Sequence, residues 1–392
     1  MKITQVYEIV NTATGVATGK TNLLQEDLSN IVDVGKEIFN ANAMDKYVNA
    51  LINRIGQTIF VNRVYAGTAP SVLMDGWEYG SVLQKVAMGL PEAEVNETWE
   101  LQDGQSYDVN IFHQPKGVIA KYYNDKVTFS IPMSFTERQL KMSFNNATEL
   151  NGFISMIYTQ IENSMTVKID GLIRSTINNM IGETIYQASQ EENGSPRAIN
   201  LLKGYKEFSG DSTITVATAL SNPDFIRYAS YIIKLTFGRM RTMSTVYNEG
   251  GQPRHTPNDL AKIVLLEDFA SAADVYLQSD TFHNELTKLP NSERTPYWQG
   301  SGQNFEFDST SAINVKTIVM ENNAVTTHEV NQGGILGVMF DRWALGVNNI
   351  DRRVTSSYNA NAEFFTNYYK YDAGYFNDFN ENFVVFYIGD TE

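Results

Sequence analysis

Apolar residues return every three to four positions along one unbroken stretch, from Asn146 to Gly182. Leu150, Phe153, Ile154, Ile157, Ile161, Met165, Ile169, Leu172, Ile173, Ile177, Met180 and Ile181 share one helical face, with no Pro among them. Asn146 can cap this helix, and Glu149, three residues on, can reach back in a capping box. From Ala147 to Ile181 the helix would be roughly 50 Å long, several times the ~11–12-residue average. Its polar face carries few charges, mainly Glu149, Glu162, Lys168, Asp170 and Arg174. Such a helix needs something to lie against along its whole length.

The flanking patterns organise around it. Residues 1–40 read as an arm: a short strand (MKITQVYEIV), a small polar loop (NTATGVATGKTN), then a modest helix with Leu24, Leu28, Ile31, Val32 and Ile38 on one side. A helix over 42–60 follows, with Asn42 as cap. Period-two alternation then marks FVNRVYAG, SYDVNIFHQ, GVIAKYY and KVTFSIPMSF as strands. Between the first two lies a Gly- and acid-rich segment holding Trp77 and Trp99, so the region reads as a projecting hairpin of two to three strands. After the long helix come a polar link (QASQEENGSPRAIN), a strand-like run in DSTITVATALSN, and a helix opened by Ser221 or Asn222 with Pro223 in its first turn. The apolar run AKIVLL leads into the helix EDFASAADVYLQS. TKLPNSERTPYWQGSG is loop-like, NVKTIVM and GGILGVMFDRWALGV alternate, and the aromatic tail 350–392 reads as strands returning to pair with earlier ones. Roughly 190–345 forms a compact α/β insertion, and no internal repeat is visible.

Composition narrows the function classes. Of 392 residues, 42% are hydrophobic and only 19% charged, with 21 Tyr. The charged share lies below the ~25% of ordinary soluble domains, which suits surfaces buried against partners. A net charge of −15 argues against binding nucleic acid through phosphate contacts. Without Cys there is no disulfide, thiolate metal site or Cys nucleophile. No apolar run approaches the ~18–20 residues of a membrane span, and the N-terminus lacks a signal-peptide pattern.

Candidate chemistry is thin. GVATGKT at Gly15–Thr21 imitates a phosphate loop, but three residues, not four, separate Gly15 and Gly19, and Thr14 stands at the required position. Lys262–Asp268 (KIVLLED) imitates a strand ending in metal-binding acids. A buried strand entering a helix is the plainer reading. His113, His255, His283 and His328 show no metal-ligand spacing and read as loop or surface residues. No GxSxG elbow occurs. The Tyr/Phe run at 364–386 could stack bases, but strand cores are the commoner use. The sequence points to no catalytic, cofactor-binding or metal residue, and to no enzyme.

The order of these parts resembles a tailed-bacteriophage major capsid protein of the Hong Kong 97 type, especially short-tailed Phi-29-like heads. Four stretches carry the resemblance: NAMDKYVNALINRIGQTIFVNRV, FTERQLKMSFNNATELNGFISMIYTQIENS, IVLLEDFASAADVYLQSDTF, and the ending GVMFDRWALGVNNIDRRVTSSYNANAEFFTNYYKYDAGYFNDFNENFVVFYI. The resemblance implies an α+β capsid fold with an N-terminal arm (1–41), an E-loop hairpin (61–125), and an inserted axial (A) domain (191–345). The peripheral (P) domain would be built from 42–60, 126–190 and 346–392, with a spine helix at about 147–182. It implies self-assembly through pentamers and hexamers into an icosahedral shell enclosing double-stranded viral DNA, with no sequence-specific DNA binding and no membrane partner. It also implies a portal protein, assembly in the host cytoplasm, and a separate scaffolding protein, since the arm is too short and too weakly charged to be a fused scaffolding segment. The chain stops after its last strand, where some members carry a further immunoglobulin-like domain. A few members join subunits by a Lys–Asn isopeptide bond, for which Lys85 and Asn359 or Asn361 are conceivable partners. An encapsulin-type compartment shell shares the fold and stays open as an alternative; a P-loop nucleotidase is a remoter one.

Overall fold

The computed structural model describes residues 3–19, 24–25, 30–40, 46–47, 50, 70–74, 83–88, 90, 103, 118–136, 147–191, 194–278, 292–299, 310–321, 324–362 and 364–389. The long helix (α3, with α1 and α2 given below) runs Ala147–Ser189, 43 residues and about 64 Å. It passes through Gly182 and ends seven residues beyond it, inside the segment expected as a polar link. Asn146, its expected cap, lies outside the described residues.

Two sheets share this helix. The first has four strands in the order β1 (Leu73–Met74), β11 (Leu345–Asn359), β12 (Phe364–Asn377), β4 (Lys126–Thr136). β11, β12 and β4 are antiparallel, and β1 is parallel to β11. Alternate residues of β12 (Phe365, Tyr369, Tyr371, Ala373) face the core, joined by Phe129, Ile131 and Met133 of β4. The aromatic run of the tail is therefore strand core, as its alternation predicts.

The second sheet runs β5 (Ala198–Asn200), β13 (Phe383–Tyr387), β10 (Ile335–Asp341), β6 (Ala261–Leu266), β7 (Glu293–Thr295). Both its faces are covered, which is why the buried part of β6, Ile263 to Leu266, is apolar throughout. Val264, Leu266, Val338, Phe340, Phe383 and Val385 join the core of the long helix. Ile263, Leu265, Met339, Val384 and Phe386 join a second core, beneath α4 (Leu201–Ser209), α6 (Pro223–Met240) and α7 (Glu267–Gln278). The last strand of the chain thus sits among strands of the 191–345 stretch, whereas all of 346–392 was expected to join 42–60 and 126–190 in one domain. A five-residue strand with apolar side chains on both faces fits only where both faces are covered.

Local signals explain the helix starts. Asn222, not Ser221, caps α6: its Oδ1 accepts from the amides of Asp224 and Phe225, with Pro223 in the first turn. Asn200 caps α4 in the same way, and Gly210 closes it at φ 72°. Two strand expectations are overturned. Val216–Ala219 (α5) is one helical turn, closed by a capping box between Thr215 and Thr218. Ile3–Thr18 (α1) is a helix rather than a strand and loop. Thr12, Thr14 and Thr18 turn their hydroxyls back onto carbonyls four residues earlier, at 2.7–2.8 Å. That removes their competition with the helix, while Val10 and Ala13 are buried in the long helix's core. The next helix, α2, spans Ile31–Asn40. Of the helix expected over 42–60, only Lys46, Tyr47 and Ala50 are described, and Tyr47 is buried.

Two antiparallel ribbons complete the described fold, β2 (Leu83–Met88) with β3 (Val118–Tyr123) and β8 (Ile313–Glu321) with β9 (Ala324–Gln332). The first lies within the expected hairpin. FVNRVYAG, SYDVNIFHQ, Trp77 and Trp99 lie outside the described residues. The second covers the end of the long helix. From Ile173 to Thr184 that helix is wrapped on nearly every side, so its polar face is not a solvent face there. Arg174 pairs with Asp170 and stacks 4.1 Å over the Tyr297 ring. Asn178 donates to the Trp298 carbonyl at 2.8 Å, and the buried Trp298 indole donates to the Ile335 carbonyl at 2.9 Å.

Candidate interaction site

The inner face of the β2–β3 ribbon mixes Leu83, Ala87 and Tyr123 with two lysines. The ribbon's alternation turns Lys85 and Lys121 toward the protein and leaves Val86, Met88 and Tyr122 63%, 55% and 64% exposed. Lys85 and Lys121 stand directly opposite each other across the ladder, a like-charge pairing that costs stability unless an anion lies between them. Asp378 supplies it. One carboxylate oxygen lies 2.6 Å from Lys85 Nζ and the other 3.2 Å from Lys121 Nζ. Lys85 also donates to the Trp343 carbonyl at 2.7 Å, approaches Glu381 at 3.6 Å, and lies 5.6 Å from the Phe376 ring centre. Glu381 is held from its other side by Arg254 at 3.3 Å.

Both carboxylates sit on the turn between β12 and β13, whose Asp378 amide donates to the Ala344 carbonyl at 2.7 Å. Burial raises the pKa of Asp378, but Lys85 and Lys121 outweigh it and hold the group below its ordinary value. For Glu381 burial wins over Lys85 and Arg254, and its pKa is raised. Beside the cluster opens a cleft of about 440 Å³, rimmed by Met88, Leu90, Met243 and Trp343. Lys121, Asp378 and Glu381 were not singled out from sequence. Only a lysine on the inward face of each mostly apolar strand hints at them.

A second buried cluster ties the β8–β9 ribbon to the long helix. Glu183, fully buried, accepts from Thr317 Oγ1 at 2.7 Å and Gln187 Nε2 at 2.9 Å, and lies 3.0 Å from His328 Nδ1. The His328 ring stacks on Tyr186 with centroids 3.7 Å apart. His328 is therefore a core residue of a strand, not the loop or surface residue its sequence setting suggested. A polar ring fits there because the Glu183 carboxylate of the long helix meets it.

The other candidates disperse. Gly15 lies inside α1, and Gly19 ends it at φ 71°. A phosphate loop needs the amides of a helix start, whereas this one presents carbonyls at a helix end; Lys20 and Thr21 lie outside the described residues. Glu267 and Asp268 open α7, where Glu267 accepts from Ser271 at 2.9 Å and Asp268 from Thr310 at 2.8 Å. His255 borders the cleft; His113 and His283 lie outside the described residues. Asn359 accepts from the amides of Asn361 and Ala362 in the β11–β12 turn, at the opposite end of β12 from the Lys85 cluster. Among the described residues no group of three or more His, Asp or Glu could hold a metal ion, and no helix is long and apolar enough to cross a membrane.

Solved structures share this fold. A chain in the capsid structure of Staphylococcus phage Andhra superposes with a TM-score of 0.51 at 10% identity, covering 84% of this chain and 86% of that one. A chain in the structure of the head fibre and inner core protein gp22 of native bacteriophage P68 gives 0.51 at 9% identity, with the same coverage. Comparison with curated protein sequences returned no match. The family model of the Phi29-like phage major capsid protein matches residues 8–387; the chain belongs to that family and is a shell-forming subunit of a phage capsid.

Proposed function

We propose that this subunit builds an icosahedral head of the Hong Kong 97 type, through pentamers and hexamers, around double-stranded DNA. In this reading 1–41 is the arm, 61–125 the E-loop, α3 the spine of the P domain, and 191–345 with the returning strand β13 the A domain. The observation that carries it is the 43-residue helix against which both sheets are built, the frame of a thin plate rather than of a globule. The net charge of −15 suits an inner wall that repels packaged DNA. A separate scaffolding protein and a portal complete the assembly, which takes place in the host cytoplasm, and the subunit's role is architectural rather than catalytic.

Electron microscopy of the purified, expressed protein tests the reading. Closed shells, tubes or hexameric sheets are expected. Discrete particles with no higher assembly, under conditions of high protein concentration and added scaffold, would refute it.

A further inference from the structure

Among the described residues Phe208, in the last turn of α4, is the most exposed large apolar side chain, at 76%. Its ring lies 5.3 Å from that of Tyr228 on α6, and Tyr231, one turn further along α6, is 59% exposed. Residues three and four apart share a helix face, so half-buried Leu235 continues the same side. The stripe therefore crosses two neighbouring helices. Their packing does not require it: Tyr205 and Phe225, edge to face with centroids 5.7 Å apart, fill the space below together with Ile226, Ala229 and Ile233. Gly204 serves the stripe instead. A Cβ there would stand 2.6 Å from the Tyr228 hydroxyl, so the missing side chain lets Tyr228 lie against α4 beside Phe208.

Charge sets these helices apart from the rest of the chain. Residues 201–241 hold six Lys and Arg against three Asp and Glu, whereas the whole chain holds 30 against 45. Lys203 on α4 and Arg227 on α6 are exposed, and Arg227 reaches Asp224 at 2.9 Å. A locally positive face on an acidic chain draws acidic partners, and phenolic hydroxyls donate to carboxylates. We propose that Phe208, Tyr228 and Tyr231, with Lys203 and Arg227 on the same two helices, form a docking face for an acidic segment of another protein that carries apolar side chains. The apolar groups of that segment pack on Phe208 and Leu235, while its carboxylates accept from the tyrosines and meet the cations. Duplex DNA fits the stripe poorly, because its affinity comes from phosphate contacts, which a protruding Phe cannot make. The face is independent of how subunits join into a shell.

The test uses the full chain and a fluorescein-labelled peptide of repeating Glu-Glu-Leu-Leu units, followed by fluorescence anisotropy. Saturable binding that weakens as salt is added is expected, and a Lys-Lys-Leu-Leu peptide should not bind. F208S/Y231S is expected to weaken binding about tenfold or more, and K203E/R227E to weaken it as well, both with the parent's far-UV circular dichroism. Should F208S/Y231S fail to fold, F208A alone answers the same question. No binding of the acidic peptide, or equal binding by the parent and F208S/Y231S, overturns the proposal. Displacement of the peptide by a short DNA duplex would assign the face to nucleic acid, and dispersal of the parent's oligomers by F208S/Y231S, read by sedimentation, would assign it to a second copy of this chain; either result overturns it too.

Discussion

Gly182 of the long helix faces Val315 of the β8–β9 ribbon so closely that a Cβ on Gly182 would stand 2.6 Å from Val315 Cγ2 and 3.1 Å from Thr317 Cγ2. Val315 is β-branched and cannot swing aside cheaply. Overpacking at Gly182→Ala should cost about 1–3 kcal/mol, against roughly 0.8–1 kcal/mol gained in helix propensity. Gly171 is the opposite case: it is exposed, with nothing within 4 Å of an added Cβ. Gly171→Ala should therefore stabilise by roughly 0.5–1 kcal/mol. Urea midpoints of the soluble subunit check both signs. Because Gly171 weakens the helix without a packing reason, it would be the bending point if the proposed shell requires this helix to follow different curvatures. Shells of unchanged size and uniformity from Gly171→Ala would count against that role.

Glu183 joins three donors from the helix and the ribbon. Glu183→Ala should cost at least about 2 kcal/mol, because Thr317 and His328 lose a buried acceptor. Replacing both members, as in Glu183→Leu with His328→Leu, should cost less than the sum of the single changes, since neither group is then stranded. A double-mutant cycle by urea unfolding measures this; strictly additive costs would mean that the pair is not coupled.

The two carboxylates of the ribbon cluster respond to acid in opposite directions. The raised Glu381 takes up its proton above the ordinary 4.5, so its protonation favours the folded state as pH falls. The lowered Asp378 contributes stability that is fully present above the ordinary 3.8 and disappears as pH falls through its lower folded value. The ribbon should stay docked while Glu381 titrates and loosen only below about pH 3.8. Amide exchange at 118–123 against pH tests this, and Asp378→Asn should abolish the acid step. Loosening that begins above pH 4.5 would show Glu381, not Asp378, to be the group that holds the ribbon.

Ile161 is fully buried in the core that joins the long helix to the first sheet. Ile161→Ala should cost about 2–5 kcal/mol, and Ile161→Asp should leave no folded subunit, because it buries an unpaired charge. Far-UV circular dichroism and the soluble yield of expressed protein report both. A folded Ile161→Asp would place that face of the helix against solvent or a neighbour instead of the core.

Much of this architecture is written in local patterns. The period of 3.6 from Leu150 to Ile181, the Asn222–Pro223 start of α6, the continuous apolar run of β6 and the alternating aromatics of β12 each follow from short-range sterics and burial. Elements with such signals appear where periodicity puts them. Tertiary contacts decided the rest. A loop-like segment becomes a helix that accommodates Thr12, Thr14 and Thr18 once Val10 and Ala13 find the long helix to pack on. Arg174, expected on the polar face, is buried together with Asn178 and Glu183 because Tyr297, Trp298 and the β8–β9 ribbon bring them partners from more than a hundred residues away. The inward lysines of the β2–β3 ribbon find their counter-charges in Asp378 and Glu381, which lie far along the chain. Burial of a charge is stable only with its counter-charge in place, and that is a property of the assembled fold, invisible in any window of the sequence.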